Sequence, residues 1–305
     1  MEPLRAAAPS QLAGSLDVPG VRVLAWDGEG RAEGLDEVRV WVAPYAAGLG
    51  SEQLREALGL LPRLEVVQLL SAGVEPWPSL VPDGVTLCGG RGIHGVSTAE
   101  LAVALTLSLL RQLPTYAAQQ RDRTWRRHEP DTLDGQQVLV LGAGEIGQCV
   151  ASALRPFGAE VGLVGRTPRD GVLSLDQAVD RLPATRVLVV ALPLTDDTTR
   201  LVDAAFLARL PDGAIVVNVA RGAIVDHDAL TAEVGTGRLR AGLDVTEPEP
   251  LPVDHPLWTL DGALITPHAG GGATGWDDRA RRLVVDQLER LRVGEELRNV
   301  VTRGY

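Results

Sequence analysis

The sequence predicts two α/β units, each a doubly wound parallel sheet, and three observations carry that prediction. Short apolar strands alternate with helical patterns along most of the 305 residues, the arrangement expected of parallel sheets covered on both faces. A Gly-x-Gly-x-x-Gly loop, Gly142-Ala143-Gly144-Glu145-Ile146-Gly147, is fed by the apolar run Val138–Leu141 and opens a helical stretch. It lies near the middle of the chain, so another unit must be built ahead of it. The length suits two domains.

In the leading part, strands are expected at Val21–Trp26, Val38–Val42, Val66–Leu70 and Val85–Leu87, with a helix at Ser51–Leu60. Met1 to Leu16 has no cationic start followed by an unbroken apolar core, so it does not read as a secretory signal. Ser97 and Glu100 form a capping box ahead of the apolar run Leu101–Leu113. That helix is apolar on nearly every face and is broken by Thr106, Ser108 and Arg111. It is too short to span a bilayer and is expected to be buried between domains or subunits. The basic cluster Arg121–Arg127 around Trp125 reads as a solvated connection.

From the glycine loop onward, six strands are expected: Val138–Leu141, Glu160–Val164, Arg186–Val190, Ala214–Val219, Leu239–Val245 and Ala263–Thr266. Helical patterns such as Asp203–Leu210 separate them, and six strands complete a dinucleotide-binding Rossmann sheet. An amphipathic helix at Trp276–Leu291 then returns the tail to the first domain. The expected boundaries are 1–96 with 276–305 for one domain and 97–275 for the dinucleotide-binding one.

Composition narrows the function. A net charge of -11, from 29 basic and 40 acidic residues, argues against nucleic-acid and anionic-membrane partners. Cys88 and Cys149 stand alone, with no metal-ligand spacing and no disulfide framework. Cys149 reads as a small buried residue, no metal is expected, and the cytoplasm is the default location.

Within the loop, Gly142 permits the tight turn and Gly144 lets backbone approach a pyrophosphate. Gly147 lets helix and strand pack closely. The second strand of this sheet ends Val164-Gly165-Arg166-Thr167-Pro168, where a carboxylate would normally hold the adenosine ribose. Arg166 and Thr167 suit a 2′-phosphate instead. NADP(H) is therefore the preferred cofactor, with NAD(H) possible.

Three later segments carry chemistry: Asn218-Val219-Ala220-Arg221-Gly222, Gly242-Leu243-Asp244 running to Glu247-Pro248-Glu249-Pro250, and Thr266-Pro267-His268-Ala269-Gly270. In this order, after a mid-chain glycine loop, they resemble the D-isomer-specific 2-hydroxyacid dehydrogenase family. The likeness covers nearly the whole chain and weakens in roughly the first 60 residues. It implies a flavodoxin-like substrate domain made from both chain ends, a Rossmann cofactor domain between them, and a homodimer paired through the cofactor domains.

The resemblance also implies residue roles. Reduction of a 2-keto acid needs a cation, a proton donor and a hydride. Arg221 supplies a fixed, permanently charged fork, and His268 supplies an imidazole, the side chain that most often donates the proton in such chemistry. Glu249, with Glu247 available as the alternative carboxylate in the same proline-rich loop, orients the imidazole and favours its protonated form. Cofactor contacts are implied at Gly142, Gly144, Glu145, Ile146, Gly147, Arg166, Thr167, Leu192, Pro193, Thr198, Val219, Ala220, Asp244 and Gly270. Ser71-Ala72-Gly73 matches the family loop whose amides hold the substrate carboxylate, so Ala72 and Gly73 are substrate contacts. Tyr45 aligns with the side-chain wall, where no Arg or Lys occurs. A small or apolar keto acid, such as glyoxylate, hydroxypyruvate or a branched or aromatic analogue, is expected rather than a phosphorylated one. Two other readings share the scaffold: a phosphite dehydrogenase-like enzyme and a dinucleotide-sensing co-repressor. Formate enzymes fit less well, because they carry Gln where Glu249 stands.

Overall fold

The computed structural model describes residues 3–45 and 50–302. It divides into two compact units, Met1–His94 with Ala273–Tyr305, and Gly95–Gly272.

The first unit holds β1 (Leu4–Ala8), β2 (Val21–Ala25), β3 (Val40–Val42), β4 (Val66–Gln68) and β5 (Thr86–Cys88). They are parallel and ordered β2-β1-β3-β4-β5, the flavodoxin-like order. Residues of β1 and β3 alternate between two cores, as a pleated strand requires. Ala7 and Trp41 face the core that contains Trp26 and Trp77; Ala6, Ala8, Val40 and Val42 face the other. Strand β1 was not expected. Its sequence, Leu-Arg-Ala-Ala-Ala, has little strand propensity, and only its central burial and pairing on both sides make it a strand. Helices α1 (Ser10–Ala13), α2 (Ser51–Gly59) and α9 (Trp276–Val293) complete the unit. The apolar stripe Ala280, Val284 and Leu288 of α9 enters the second core. Gln287 in the same helix donates to the Gln68 side chain on β4 at 2.8 Å.

The second unit holds β6 (Gln137–Leu141), β7 (Glu160–Val164), β8 (Val172–Leu173), β9 (Thr185–Val190), β10 (Ile215–Asn218), β11 (Arg240–Leu243) and β12 (Ala263–Ile265). All pair in parallel, in the order β12-β11-β10-β9-β6-β7-β8. Seven strands replace the expected six, because two-residue β8 is too short to leave a pattern. The order reverses between β6 and β9, the switch point at which open α/β sheets bind ligands.

Around this sheet lie α3 (Gly95–Leu110), α4 (Leu113–Arg121), α5 (Glu145–Leu154), α6 (Leu175–Arg181), α7 (Ala204–Leu207) and α8 (His227–Gly235). Two expectations are corrected here. Helix α3 starts at Gly95, so Ser97 lies inside the first turn rather than at the cap. A Cβ on Gly95 would lie 2.4 Å from the Glu145 carboxyl group, which sits at the α3 N-terminus, where the helix dipole favours an anion. The apolar run also does not continue unbroken to Leu113. Gln112 takes a left-handed φ of 54°, and α4 departs at 66° to α3. Among the described residues, no single helix is long and apolar enough to cross a membrane. Cys149 is half-buried rather than buried, whereas Cys88 is fully buried and its thiol is pushed up to about 11 by burial.

Candidate active site

Parallel strands bring the chemistry-bearing segments to one edge of the second sheet. Gly142 follows β6, Arg221 follows β10, Asp244 to Glu249 follow β11, and His268 follows β12. All leave from carboxyl ends, the edge at which such sheets place ligands.

The glycine loop is fixed by close approach. A Cβ on Gly147 would stand 1.8 Å from the Gly142 carbonyl oxygen, and one on Gly142 would stand 2.3 Å from that of Ala191. Neither position tolerates a side chain. Gly144, the N-cap of α5, differs: a Cβ there would meet nothing within 4 Å, and no side chain caps the helix. The backbone at Gly144, Glu145 and Ile146 thus presents a helix N-terminus that an anion can approach. These residues fit a dinucleotide pyrophosphate. Across the switch point, Thr198 closes the loop after β9, donating to the Pro193 carbonyl at 2.7 Å and accepting from the Thr195 amide at 2.8 Å. Leu192 and Pro193 lie on that loop. Val219 and Ala220 are buried beyond β10.

Arg166 and Thr167 are exposed at the end of β7. The turn that follows carries a residue the motif reading passed over: Arg169, whose Nη2 donates to the Ala143 carbonyl of the glycine loop at 3.5 Å. The signal was a second arginine three positions on.

His268 and Glu249 form a pair. His268 Nδ1 donates to Glu249 Oε2 at 2.8 Å, and Glu249 Oε1 accepts the Thr246 amide at 3.0 Å. Both carboxylate oxygens are occupied, so the imidazole is held at one end and its Nε2 is left for another partner. Glu249, and not the neighbouring Glu247, makes this contact.

Asp244 builds the loop beneath. It is 2% exposed, and it accepts from the Thr266 hydroxyl at 2.6 Å, the Ala269 amide at 2.8 Å and the Gly270 amide at 2.9 Å. The His268 amide donates to the Asp244 carbonyl at 2.8 Å. Through these bonds His268 keeps φ at 51°, a left-handed backbone that costs a non-glycine residue energy and that surrounding contacts must over-determine. The sequence reading places Asp244 among cofactor contacts; its side-chain hydrogen bonds go to the His268 loop.

Arg221 is tied to the same ground. The Asn218 side chain donates to the Arg221 carbonyl at 2.9 Å and accepts the Ala220 amide at 3.0 Å. A Cβ on Gly222 would lie 2.0 Å from the Thr246 carbonyl oxygen. Only glycine lets the Arg221 turn rest on the strand end that carries Glu249. In the first unit, Ala72 and Gly73 lie half-buried on the loop after β4, and Tyr45 lies half-buried after β3. Among the described residues no group of three or more metal-ligating side chains occurs.

His227, at the start of α8, is 7% exposed, and neither ring nitrogen has a hydrogen-bond partner among the described residues. Burial pushes its pKa down, and His255 adds to that against the pull of Asp226, Asp228 and Glu249. The folded state therefore binds this proton less readily than the unfolded chain. Stability is intact above the ordinary imidazole value of about 6.5 and falls as pH drops through it. His227→Leu is expected to narrow the difference in urea midpoint between roughly pH 8 and roughly pH 5.5. An unchanged difference would show that the ring contributes nothing to acid sensitivity.

Comparison with known proteins identifies the family. Residues 103–270 match the family model described as D-isomer specific 2-hydroxyacid dehydrogenase, NAD binding domain. Glyoxylate/hydroxypyruvate reductase A of Photorhabdus laumondii is 33% identical over 298 residues, spanning 93% of this chain and 91% of that protein. The glyoxylate reductase/hydroxypyruvate reductase of Mus musculus is 35% identical, over 72% of this chain and 70% of that one. Among solved structures, a D-isomer specific 2-hydroxyacid dehydrogenase from Xanthobacter autotrophicus Py2, in complex with NADPH and MES, superposes with a TM-score of 0.84. It is 32% identical, with both chains fully covered. An NADPH-dependent glyoxylate/hydroxypyruvate reductase from Sinorhizobium meliloti, in complex with NADP and sulfate, also gives 0.84 at 26% identity, with 98% of each chain covered. Matched over most of its length by such relatives, and over more than half by the family model, the chain belongs to the D-isomer specific 2-hydroxyacid dehydrogenase family.

Proposed function

We propose that this chain reduces a small, unphosphorylated 2-keto acid to the D-2-hydroxy acid, using NADPH in preference to NADH. The observation that carries the reading is the His268–Glu249 pair at 2.8 Å, held on a loop locked by Asp244 at the sheet edge that also carries Arg221. Relatives named as glyoxylate/hydroxypyruvate reductases support the substrate class.

The dinucleotide, when bound along the glycine loop, supplies the hydride. The chain's residues do the rest. Arg221 attracts the carboxylate and ketone oxygens of the acid with a guanidinium that cannot lose its charge. His268 hands its Nε2 proton to the forming alkoxide, while Nδ1–H stays on Glu249. Glu249 thereby fixes the ring's orientation and offsets the imidazolium charge that exists before transfer. In the first unit, the Ala72 and Gly73 amides are suited to a carboxylate, and Tyr45 to the acid's side chain.

For the cofactor, the lack of a carboxylate over residues 165–169 after β7 and the presence of Arg166, Thr167 and Arg169 support a 2′-phosphate. Structural relatives in complex with NADPH or NADP agree. Arg166→Ala and Arg169→Ala are each expected to lower kcat/KM for NADPH about tenfold or more, as loss of a charged hydrogen bond does. The value for NADH should scarcely move. An NADH preference indifferent to both substitutions would remove the assignment.

We further infer a cytoplasmic homodimer. Pairing through the second unit is supported by α4, which buries none of its residues, and by Val96 at 57% and Leu113 at 51% exposure. Trp125 beyond α4 is 95% exposed. The net charge of -11 disfavours nucleic acid and anionic membrane as partners. The test of the activity is a panel of 2-keto acids with NADPH and NADH, with the product enantiomer determined. D-hydroxy acid formed from an unphosphorylated substrate is expected. Turnover of phosphorylated acids alone, or formation of the L-enantiomer, would refute the reading.

A further inference from the structure

Three aromatic rings of the first unit meet beyond the strands that flank β4. Tyr45 follows β3, His94 follows β5, and Trp276 is the first residue of α9. Tyr45 and His94 stack with centroids 4.5 Å apart and planes inclined by 26°. Trp276 lies 5.4 Å from Tyr45 and 6.1 Å from His94.

The cluster is tied to the loop after β4. His94 is 5% exposed, and its Nε2 donates to the Leu70 carbonyl at 2.8 Å, which selects the Nε2–H tautomer because a carbonyl only accepts. Leu70 runs directly into Ser71-Ala72-Gly73. That loop is held again by the Gly90 amide on the Ser71 carbonyl at 2.7 Å and by the Ser71 hydroxyl on the Gly73 carbonyl at 2.7 Å. Arg279, one turn along α9, donates through Nε to the Ile93 carbonyl and so pins the start of the helix beside His94. Tyr45 and Trp276 remain only half-buried, and a tilted indole with a solvent-facing part offers a flat apolar surface.

We propose that Trp276 is a specificity-determining residue. Its indole face, braced by Tyr45 and His94, packs on the side chain of a 2-keto acid that carries one or more carbons there, and so favours such acids over glyoxylate, whose side chain is a hydrogen atom. The proposal rests on the reading that the chain reduces 2-keto acids and that the Ala72–Gly73 loop receives their carboxylate. Removing the ring deletes a contact that only the longer acids make. An apolar contact of this size changes selectivity by about 10-fold or more.

The test compares glyoxylate, hydroxypyruvate and 2-oxobutanoate on the wild type, Trp276→Leu and Trp276→Phe. Leu keeps apolar bulk without the flat ring, and Phe keeps a flat ring. In Trp276→Leu, kcat/KM for the two longer acids should fall roughly tenfold, chiefly through KM, while glyoxylate changes little. Trp276→Phe should keep most of the wild-type ratio. An equal loss for all three acids would mark a structural role, and no loss, or a gain for the longer acids, would mark the ring as inert or as a stop; each overturns the proposal. A wild type that reduces none of the three overturns the activity itself, which is a separate result.

Discussion

His268→Gln is expected to lower kcat for keto-acid reduction by roughly 10²–10⁴-fold, the usual contribution of a positioned acid–base group. Glutamine is close in size and its amide reaches toward Glu249, so the loop built on Asp244 should keep its shape. What it lacks is an acidic proton for the alkoxide. KM should change far less than kcat, because Arg221 and the Ala72–Gly73 loop are untouched. The split separates lost chemistry from lost binding. A variant with near-normal kcat at saturating substrate would take the proton-donor role away from His268.

The second large effect belongs to Gly147. An alanine methyl there would sit 1.8 Å from the Gly142 carbonyl oxygen and 3.2 Å from Val140 Cγ1. A Cβ has no rotamer by which to escape, so α5 must shift off β6. Overpacking of this kind costs about 1–3 kcal/mol, occasionally more, and it displaces the helix N-terminus that would face the pyrophosphate. Gly147→Ala should lower the melting temperature and weaken dinucleotide binding more than tenfold. Gly144→Ala provides the contrast. Beyond its own chain neighbours its methyl meets nothing within 4 Å, so stability should hold while binding falls, because the methyl occupies the approach to the backbone. Equal melting temperatures and equal affinities for Gly147→Ala and the wild type would show that the loop does not position the helix as described.

The parts legible in the sequence were those in which neighbouring residues carry the pattern. The run from Val138 to Gly147 states its own strand, turn and helix. Arg221, Glu249 and His268 stood in segments whose order pointed to the family. The parts that escaped depend on contacts between distant residues. Strand β1 is five residues, three of them alanine, that pair only because β2 and β3 flank them. The bend at Gln112 divides one apolar run into two helices. Asp244 could be assigned to the motif, but its three bonds to the His268 loop require β11 and β12 to be neighbours. The ring cluster of Tyr45, His94 and Trp276 joins segments from both ends of the chain, which no local spacing encodes.

The central claim is that His268 and Glu249 act as one proton-donating unit. A double-mutant cycle on keto-acid reduction, comparing His268→Gln, Glu249→Gln and the double variant, measures that coupling directly. The double variant should be no slower than His268→Gln alone, since Glu249 acts only through the ring it holds. Losses that multiply independently would contradict the account.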